Sequence, residues 1–153
     1  MEVKSTLKVF NEAQVTAQRG VTEGQMFKPL VGNTEHPTDR IRVGLANYKP
    51  GTVEELHWHP IEAFYYVISG HAIVRDLEGN EYEAGPGSVI YAPPGIAGAH
   101  EWEVREGLQL LAFRATTESD KKFQFTVDKK TKRSYIDLEE LARRGGVSFK
   151  SHY

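Results

Sequence analysis

Short apolar runs separated by glycine and proline make up most of this sequence, and they limit the folds that it can adopt. The chain contains 14 glycines and 7 prolines. The runs between them are rich in β-branched and aromatic residues, which favour strands. Residues 41–48 alternate between apolar and polar side chains, as a strand with one buried face does. Many short strands between frequent turns predict an all-β fold, either a barrel or a two-sheet jelly roll.

The same pattern places the individual strands and turns. We expect Gly70 to turn the chain from one strand into the next, and residues 78–80 to form a tight hairpin turn. Residues 101–104 and 108–114 are expected to pair as a hairpin. The expected strands cover residues 25–31, 41–48, 53–59, 63–69, 72–75, 81–83, 88–92, 101–104, 108–114 and 123–127.

Length, charge and composition are those of an ordinary globular protein. The 153 residues fit one domain, 1–153, with residues 1–25 as a less regular N-terminal arm. A formal net charge of −2 offers no basic surface for nucleic acid. The sequence has no cysteine, so any metal must be bound by His, Asp, Glu or water. No stretch is apolar enough for a signal peptide or a membrane span, so we expect a cytoplasmic protein without a membrane partner.

The C-terminal region, residues 135–153, differs from the rest. Asp137 and Glu140 have the spacing of a capping box, and Gly145 is a typical helix stop. A short helix over residues 138–144 is therefore expected, packed on the outside of the β body.

Two histidines one residue apart carry the first chemical signal. His57 and His59 fall in an expected strand, so both side chains project to one face and Trp58 projects to the other. Two imidazoles on one face can bind a single transition-metal ion. Glu55 shares this face and could support a ligating imidazole. The alternative is two unrelated surface histidines beside the turn at Pro60, because short motifs of this kind often occur by chance.

Two longer motifs that include these histidines resemble those of the cupin superfamily. The first cupin motif is usually G-x5-H-x-H-x(3 or 4)-E-x6-G, and it is matched here by Gly51, His57, His59 and Gly70. The second is usually G-x5-P-x-G-x2-H-x3-N, and it is matched by Gly87, Pro93, Gly95 and His100. The resemblance covers residues 44–113 and implies a single cupin domain, a double-stranded β-helix with its barrel core at residues 40–115.

The sequence departs from these motifs at two places. The family's glutamate is replaced by Ala63, and Glu62 beside it would emerge on the opposite face of a strand. Either a bulge after Pro60 turns Glu62 inward, or the site lacks this carboxylate, and we favour the loss. His100 follows Gly95 after four residues rather than two. An insertion of two residues preserves the strand parity, so we expect His100 to reach the site.

The resemblance implies a site of three neutral imidazoles, His57, His59 and His100, around one divalent transition-metal ion. Fe, Zn, Cu and Ni suit imidazole ligands, and cupins also use Mn, so the sequence does not identify the metal. The remaining coordination positions would be open to water, substrate or dioxygen. Glu62, if it turned inward, would be a fourth ligand or a general base.

Strand alternation adds candidates for the wall of a substrate pocket. Tyr65 faces inward if Ala63 does, and Trp102 faces inward if His100 does. The two aromatic rings would then bracket a small organic substrate, unless they are ordinary core aromatics. With two further groups that would orient the substrate, the candidate contacts are Tyr65, Trp102, Tyr48 and Arg114.

Three functions are compatible with these features. The first is a metal-dependent enzyme that acts on a small oxygenated organic substrate, since three-His cupins include dioxygenases that cleave diketones or thiols. The second is a lyase, isomerase or cyclase that uses the ion as a Lewis acid. The third is a cupin that binds a metal or metabolite without turnover. We expect the first, in a homodimer joined through sheet edges, as is usual for cupins.

Overall fold

The structure, a computed structural model, describes residues 1–115 and 124–136, and strands dominate it. The strands are β1 (Gln18–Arg19), β2 (Gln25–Val31), β3 (Arg42–Tyr48), β4 (Val53–Trp58), β5 (Ala63–Asp76), β6 (Glu81–Ala84), β7 (Val89–Ala92), β8 (His100–Arg114), β9 (Phe125–Val127) and β10 (Ser134–Ile136). Two short 3-10 turns lie at Glu12–Gln14 and Ile96–Gly98. Within the described residues, no helix is long and apolar enough to cross a membrane. The helix expected at residues 138–144 lies outside these residues.

Two long strands, β5 and β8, connect the two layers of the fold. They pair with each other in antiparallel fashion along most of their length. On the far side of β5, β7 pairs with its first half and β6 with its second half. On the far side of β8, β4 pairs with its beginning and β3 with its end. The sheet therefore folds over into two layers, β7–β5–β8–β3 and β6–β5–β8–β4, and the expected jelly roll is confirmed.

Both long strands bend where two glycines meet. Gly70 has a φ angle of 87°, and a Cβ atom there would lie 2.1 Å from the carbonyl oxygen of Gly107. Glycine alone tolerates both the positive φ angle and this close approach. The turn expected at Gly70 and the hairpin expected between residues 101–104 and 108–114 are therefore wrong. Each region is one continuous strand, and the pairing register shifts at the bend.

The two layers enclose the main core, and the β9–β10 hairpin extends the second layer at the free edge of β4. Val67, Leu110 and Trp102 are almost completely buried in this core. At this edge Trp58 of β4 stacks on its pairing partner Phe125 of β9 at a ring-centroid distance of 4.6 Å. Trp58 therefore points away from the core, as strand alternation predicts. β4, which carries the first of the two histidines and leads directly into the second, is paired on both edges, with β8 and with β9.

The N-terminal arm is partly attached to the sheet. β1 pairs with the beginning of β2, and Lys28 forms an ion pair with Glu12. The Gln25 side chain accepts a hydrogen bond from the backbone N–H of Val21 at 2.9 Å. These contacts place residues 18–21 and Gln25 along one wall of a cavity.

Candidate metal centre

Three histidines from β4, the residue just after it and the beginning of β8 meet in the interior. His57, His59 and His100 are 1%, 3% and 4% exposed. One ligand atom from each of them lies within 4.8 Å of the others. His57 and His100 are directly opposite each other in the β4–β8 pair, which brings together two segments distant in sequence. The expected three-histidine cluster is confirmed.

Backbone carbonyls orient two of the three rings. Nδ1 of His57 donates to the Glu55 carbonyl at 2.6 Å, and Nδ1 of His100 donates to the Gly98 carbonyl at 2.9 Å. A carbonyl can only accept, so Nδ1 carries the hydrogen and Nε2 keeps a free lone pair. Gly98 belongs to the 3-10 turn Ile96–Gly98. The longer loop before His100 thus supplies the carbonyl that orients its ring.

Burial keeps these imidazoles neutral. It lowers the pKa of His57 from 6.5 to about 4. Burial, together with the neighbouring His57, lowers the pKa of His100 to about 3. Neutral imidazoles with lone pairs directed to one point are suitable ligands for a divalent transition metal. The donor set therefore fits the ion that the resemblance implies.

The hydroxyl of Tyr65 lies beside two of the histidines. It is 3.3 Å from Nε2 of His59 and 3.3 Å from Nε2 of His100. Tyr65 is buried, and this burial raises the pKa of its hydroxyl. The group therefore keeps its proton at neutral pH and can donate a hydrogen bond beside the cluster.

A carboxylate not expected at this site also reaches the cluster. Glu54 is 6% exposed, and its Oε1 lies 3.7 Å from Nε2 of His57. Its Oε2 accepts a hydrogen bond of 3.0 Å from the Tyr48 hydroxyl, which accepts one of 2.8 Å from Nε2 of Gln25. The β4–β8 register shifts between Glu54 and His57, and a bulge of this kind reverses which side chains face inward. The prediction that Glu55 supports a histidine through its side chain is wrong, because Glu55 is exposed and contributes its backbone carbonyl.

Glu62 lies on the outer surface. It is exposed, and its Oε1 accepts a hydrogen bond of 3.1 Å from the Tyr91 hydroxyl. Ala63 beside it is 2% exposed and faces the core. The expectation that Glu62 becomes a ligand or general base if it turns inward is therefore not met. The bulge that brings a carboxylate to the site precedes the histidine pair rather than following Pro60.

A cavity of about 350 Å³ is bounded by two residues that contact the histidines, although among the described residues no histidine lines it directly. Of the expected substrate contacts, Tyr48, Tyr65 and Arg114 line it, and Glu54 does so too. Trp102 is 1% exposed and packs edge-on against Tyr65 at a centroid distance of 5.4 Å. It therefore stands behind Tyr65 in the core, and the two rings do not bracket the cavity.

Comparison with known proteins gives a family match for the middle of the chain. The sequence profile of the family described as "Cupin domain" matches residues 44–113. Residues 44–113 are therefore similar to the cupin family. The matched region includes all three histidines, the whole of β5, and β8 as far as residue 113. No curated protein matches the sequence significantly.

Several solved structures share the cupin fold. The polyketide cyclase RemF from Streptomyces resistomycificus is 21% identical, with 80% of this chain and 87% of that chain covered and a TM-score of 0.67. KdgF from Halomonas sp. is 22% identical, with 75% and 98% covered and a TM-score of 0.62. Oxalate decarboxylase from Bacillus subtilis is 22% identical, with 94% and 38% covered and a TM-score of 0.63. At these identities the likeness supports the fold and not a particular reaction.

Proposed function

We propose that this protein is a metal-dependent enzyme that catalyses a non-oxidative proton-transfer reaction, as a lyase, isomerase or cyclase, on a small oxygenated organic substrate. One observation carries the proposal: Tyr65 and Glu54 contact the three-histidine cluster and also line the cavity. A hydroxyl donor and a carboxylate acceptor therefore lie between the cavity and the histidine cluster. The similarity to a polyketide cyclase, noted above, is compatible with this class of reaction.

Each residue of the site has a role in this reaction. Nε2 of His57, His59 and His100 would hold the ion, which would act as a Lewis acid that polarises a substrate oxygen. The Tyr65 hydroxyl donates a hydrogen bond to an oxygen on which negative charge develops. The Glu54 carboxylate, held by the Tyr48 hydroxyl, accepts a proton from the substrate.

A dioxygenase is the second candidate. Burial keeps two of the three imidazoles, those of His57 and His100, neutral. A ligand set without a negative charge leaves the ion more Lewis acidic and able to bind an anionic substrate. Three-His cupins that act as dioxygenases also hold their ion with uncharged ligands. The two candidates differ in whether oxygen is consumed.

Oxygen consumption distinguishes the candidates. The protein would be loaded in turn with Fe, Mn and Zn and mixed with a panel of diketones, catechols and oxo acids, while substrate and dissolved oxygen are followed together. We expect conversion without oxygen uptake. Uptake in proportion to product would contradict the proposal in favour of a dioxygenase. No conversion with any metal would instead favour a cupin that binds without turnover.

We also propose a homodimer, as the resemblance implies. Phe64, Tyr66 and Tyr91 are 40%, 43% and 60% exposed on the outer face of β5 and β7, and exposed apolar side chains of this kind often contact another protein. Size-exclusion chromatography with light scattering should give a mass twice that of the 17.2 kDa chain. A mass equal to that of one chain, across the concentrations used for assay, would contradict the homodimer.

A further inference from the structure

We propose that the substrate of this site carries a carboxylate, which the guanidinium groups of Arg114 and Arg42 bind inside the cavity. The inference deepens the proposed function and rests on it, because it names the substrate class of the same cavity. It is carried by the strand register, by a buried donor without a partner and by the charges on the cavity wall.

The two arginines lie side by side in the sheet. Arg42 on β3 is directly opposite Arg114 on β8, so their side chains emerge on the same face. Both line the cavity of about 350 Å³ that Glu54 and Tyr65 also line, and both line a second cavity of about 580 Å³. Like charges directly opposite each other in an antiparallel pair destabilise the sheet. A bound anion would offset this repulsion.

Arg114 has a donor that the described residues do not satisfy. Its Nη1 atom is buried and has no hydrogen-bond partner among them. A buried donor without a partner costs about 1–3 kcal/mol, and more when the group is charged. A guanidinium has five N–H donors in a rigid planar fork. The free Nη1 is therefore a donor already desolvated and available to a ligand.

The charges around the cavity favour an anion. Among the residues that the structure describes, the charged groups lining it are three arginines, Arg19, Arg42 and Arg114, and one acid, Glu54. One oxygen of Glu54 already accepts the Tyr48 hydrogen bond. A carboxylate matches the planar guanidinium fork. Because it carries a single charge, it is repelled less by Glu54 than a phosphate dianion would be.

The position of Arg114 relates the carboxylate to the reacting atoms. Arg114 and Tyr65 line the same cavity, and the Tyr65 hydroxyl is 3.3 Å from two of the imidazoles. A carboxylate on Arg114 would therefore bind close to the oxygen that Tyr65 and the ion contact. This arrangement fits a small acid whose reactive carbonyl or hydroxyl is near its carboxylate, such as a 2-oxo or 2-hydroxy acid.

Calorimetric titration of the metal-loaded protein tests this inference. The probes are pyruvate, succinate and benzoate, each compared with its uncharged amide, and inorganic phosphate. We expect at least one carboxylate to bind about tenfold or more tightly than its amide, because the charged hydrogen bond to the guanidinium is lost in the amide. If no carboxylate is preferred to its amide, or if phosphate alone binds, the carboxylate assignment is overturned. This comparison needs no variant.

Two variants and a control locate the binding. Arg114→Gln and Arg42→Gln should each remove most of the preference for the carboxylate, with the melting temperature confirming that the variant is folded. The control is Arg40→Gln, since the Arg40 side chain is 88% exposed and does not line the cavity. A preference for the carboxylate that survives in both folded cavity variants would contradict the inference.

The same samples separate this inference from the proposed function. A wild-type protein that holds its ion and converts a substrate without a carboxylate would retain the proposed function and overturn the inference. A carboxylate preference that depends on Arg114, in a protein that binds no metal, would support the inference and contradict the proposed function.

Discussion

The bulge between Glu54 and His57 decides which acidic side chain meets the histidines. With regular alternation, Glu55 would share the face of His57. The extra residue shifts the register, so Glu54 turns inward and the Glu55 carbonyl receives the His57 Nδ1 hydrogen bond. One local irregularity therefore supplies both the carboxylate beside the cluster and the acceptor that fixes the His57 tautomer.

The two neighbouring glutamates allow a matched test. Glu54→Gln removes the proton acceptor and keeps the shape, so we expect kcat to fall about 10²-fold or more, as is typical when a general base is lost. Bound metal should remain, because the three imidazoles are unchanged. The control is Glu55→Gln, which alters an exposed side chain and should keep the wild-type rate. Equal rates for the two variants would show that Glu54 has no catalytic role.

The depressed histidine pKa values predict how stability depends on pH in the metal-free protein. The unfolded chain binds protons at pH values near 6.5, whereas folded His57 and His100 bind them only near pH 4 and 3. The unfolded state therefore takes up more protons as the pH falls below 6.5. The free energy of unfolding should decrease from about pH 6.5 towards 4, by about 1–2 kcal/mol per histidine at pH 5.

Urea unfolding of metal-free protein at several pH values measures this dependence. A His57→Gln, His100→Gln double variant is the control, and its stability should change less over the same interval. Wild-type stability that stays constant from pH 7 to pH 5 would be inconsistent with two buried neutral imidazoles.

At the scale of single residues, motif spacing predicts the three histidine ligands but not the side chains around them. His57, His59 and His100 could be grouped because the intervals between them match a known pattern. Glu54 could not be predicted, since a bulge has no reliable sequence signal and two consecutive glutamates give no indication of which one turns inward. Arg42 could not be paired with Arg114 either, because the register of strands so distant in sequence depends on the whole fold.

At the scale of the elements, the bent strands β5 and β8 position the site. The first half of β5 carries Tyr65, and β8 carries His100 at its beginning and Arg114 at its end. The bend at Gly70 and Gly107 allows one strand to contribute to both layers. The sequence predicts turns at these places because glycine between apolar runs usually marks a turn. Here the backbone pairing of β5 with β8 continues through the bend, since the two strands bend at the same point.

A pair of glycines tests the close approach at the bend. Gly70→Ala adds a Cβ atom 2.1 Å from the Gly107 carbonyl oxygen, so the strands must separate. The control, Gly79→Ala, has a similar φ angle of 89° but open space around the new atom. In both variants the free energy of unfolding should fall by about 1–2 kcal/mol, because alanine is strained in the left-handed backbone conformation. In Gly70→Ala it should fall by at least a further 1–3 kcal/mol, because the added atom overpacks the bend. Equal unfolding free energies would contradict this account of the bend.

At the scale of the whole molecule, an ion would join parts of the fold that are distant in sequence. His57 lies on β4, His59 directly follows β4, and His100 begins β8. An ion that binds only the folded state stabilises it by about 2.7 kcal/mol at a concentration of 100 times its Kd.

Thermal melting with and without metal measures this stabilisation. Zinc added to metal-free protein should raise the melting temperature by about 5–10 °C. His59→Ala should show little of this increase. An equal increase in wild type and variant would mean that zinc acts somewhere other than at the histidine cluster.

The stoichiometry of bound metal tests the central claim most directly. After loading with a divalent transition metal and extensive dialysis, elemental analysis should find about one ion per chain in the wild type. His57→Ala, His59→Ala and His100→Ala should each lose most of it, while Glu62→Ala, which alters an exposed side chain, should retain it. A wild-type protein without stoichiometric metal, or any of the three histidine variants with wild-type metal content, would contradict the assignment of these histidines as a metal centre.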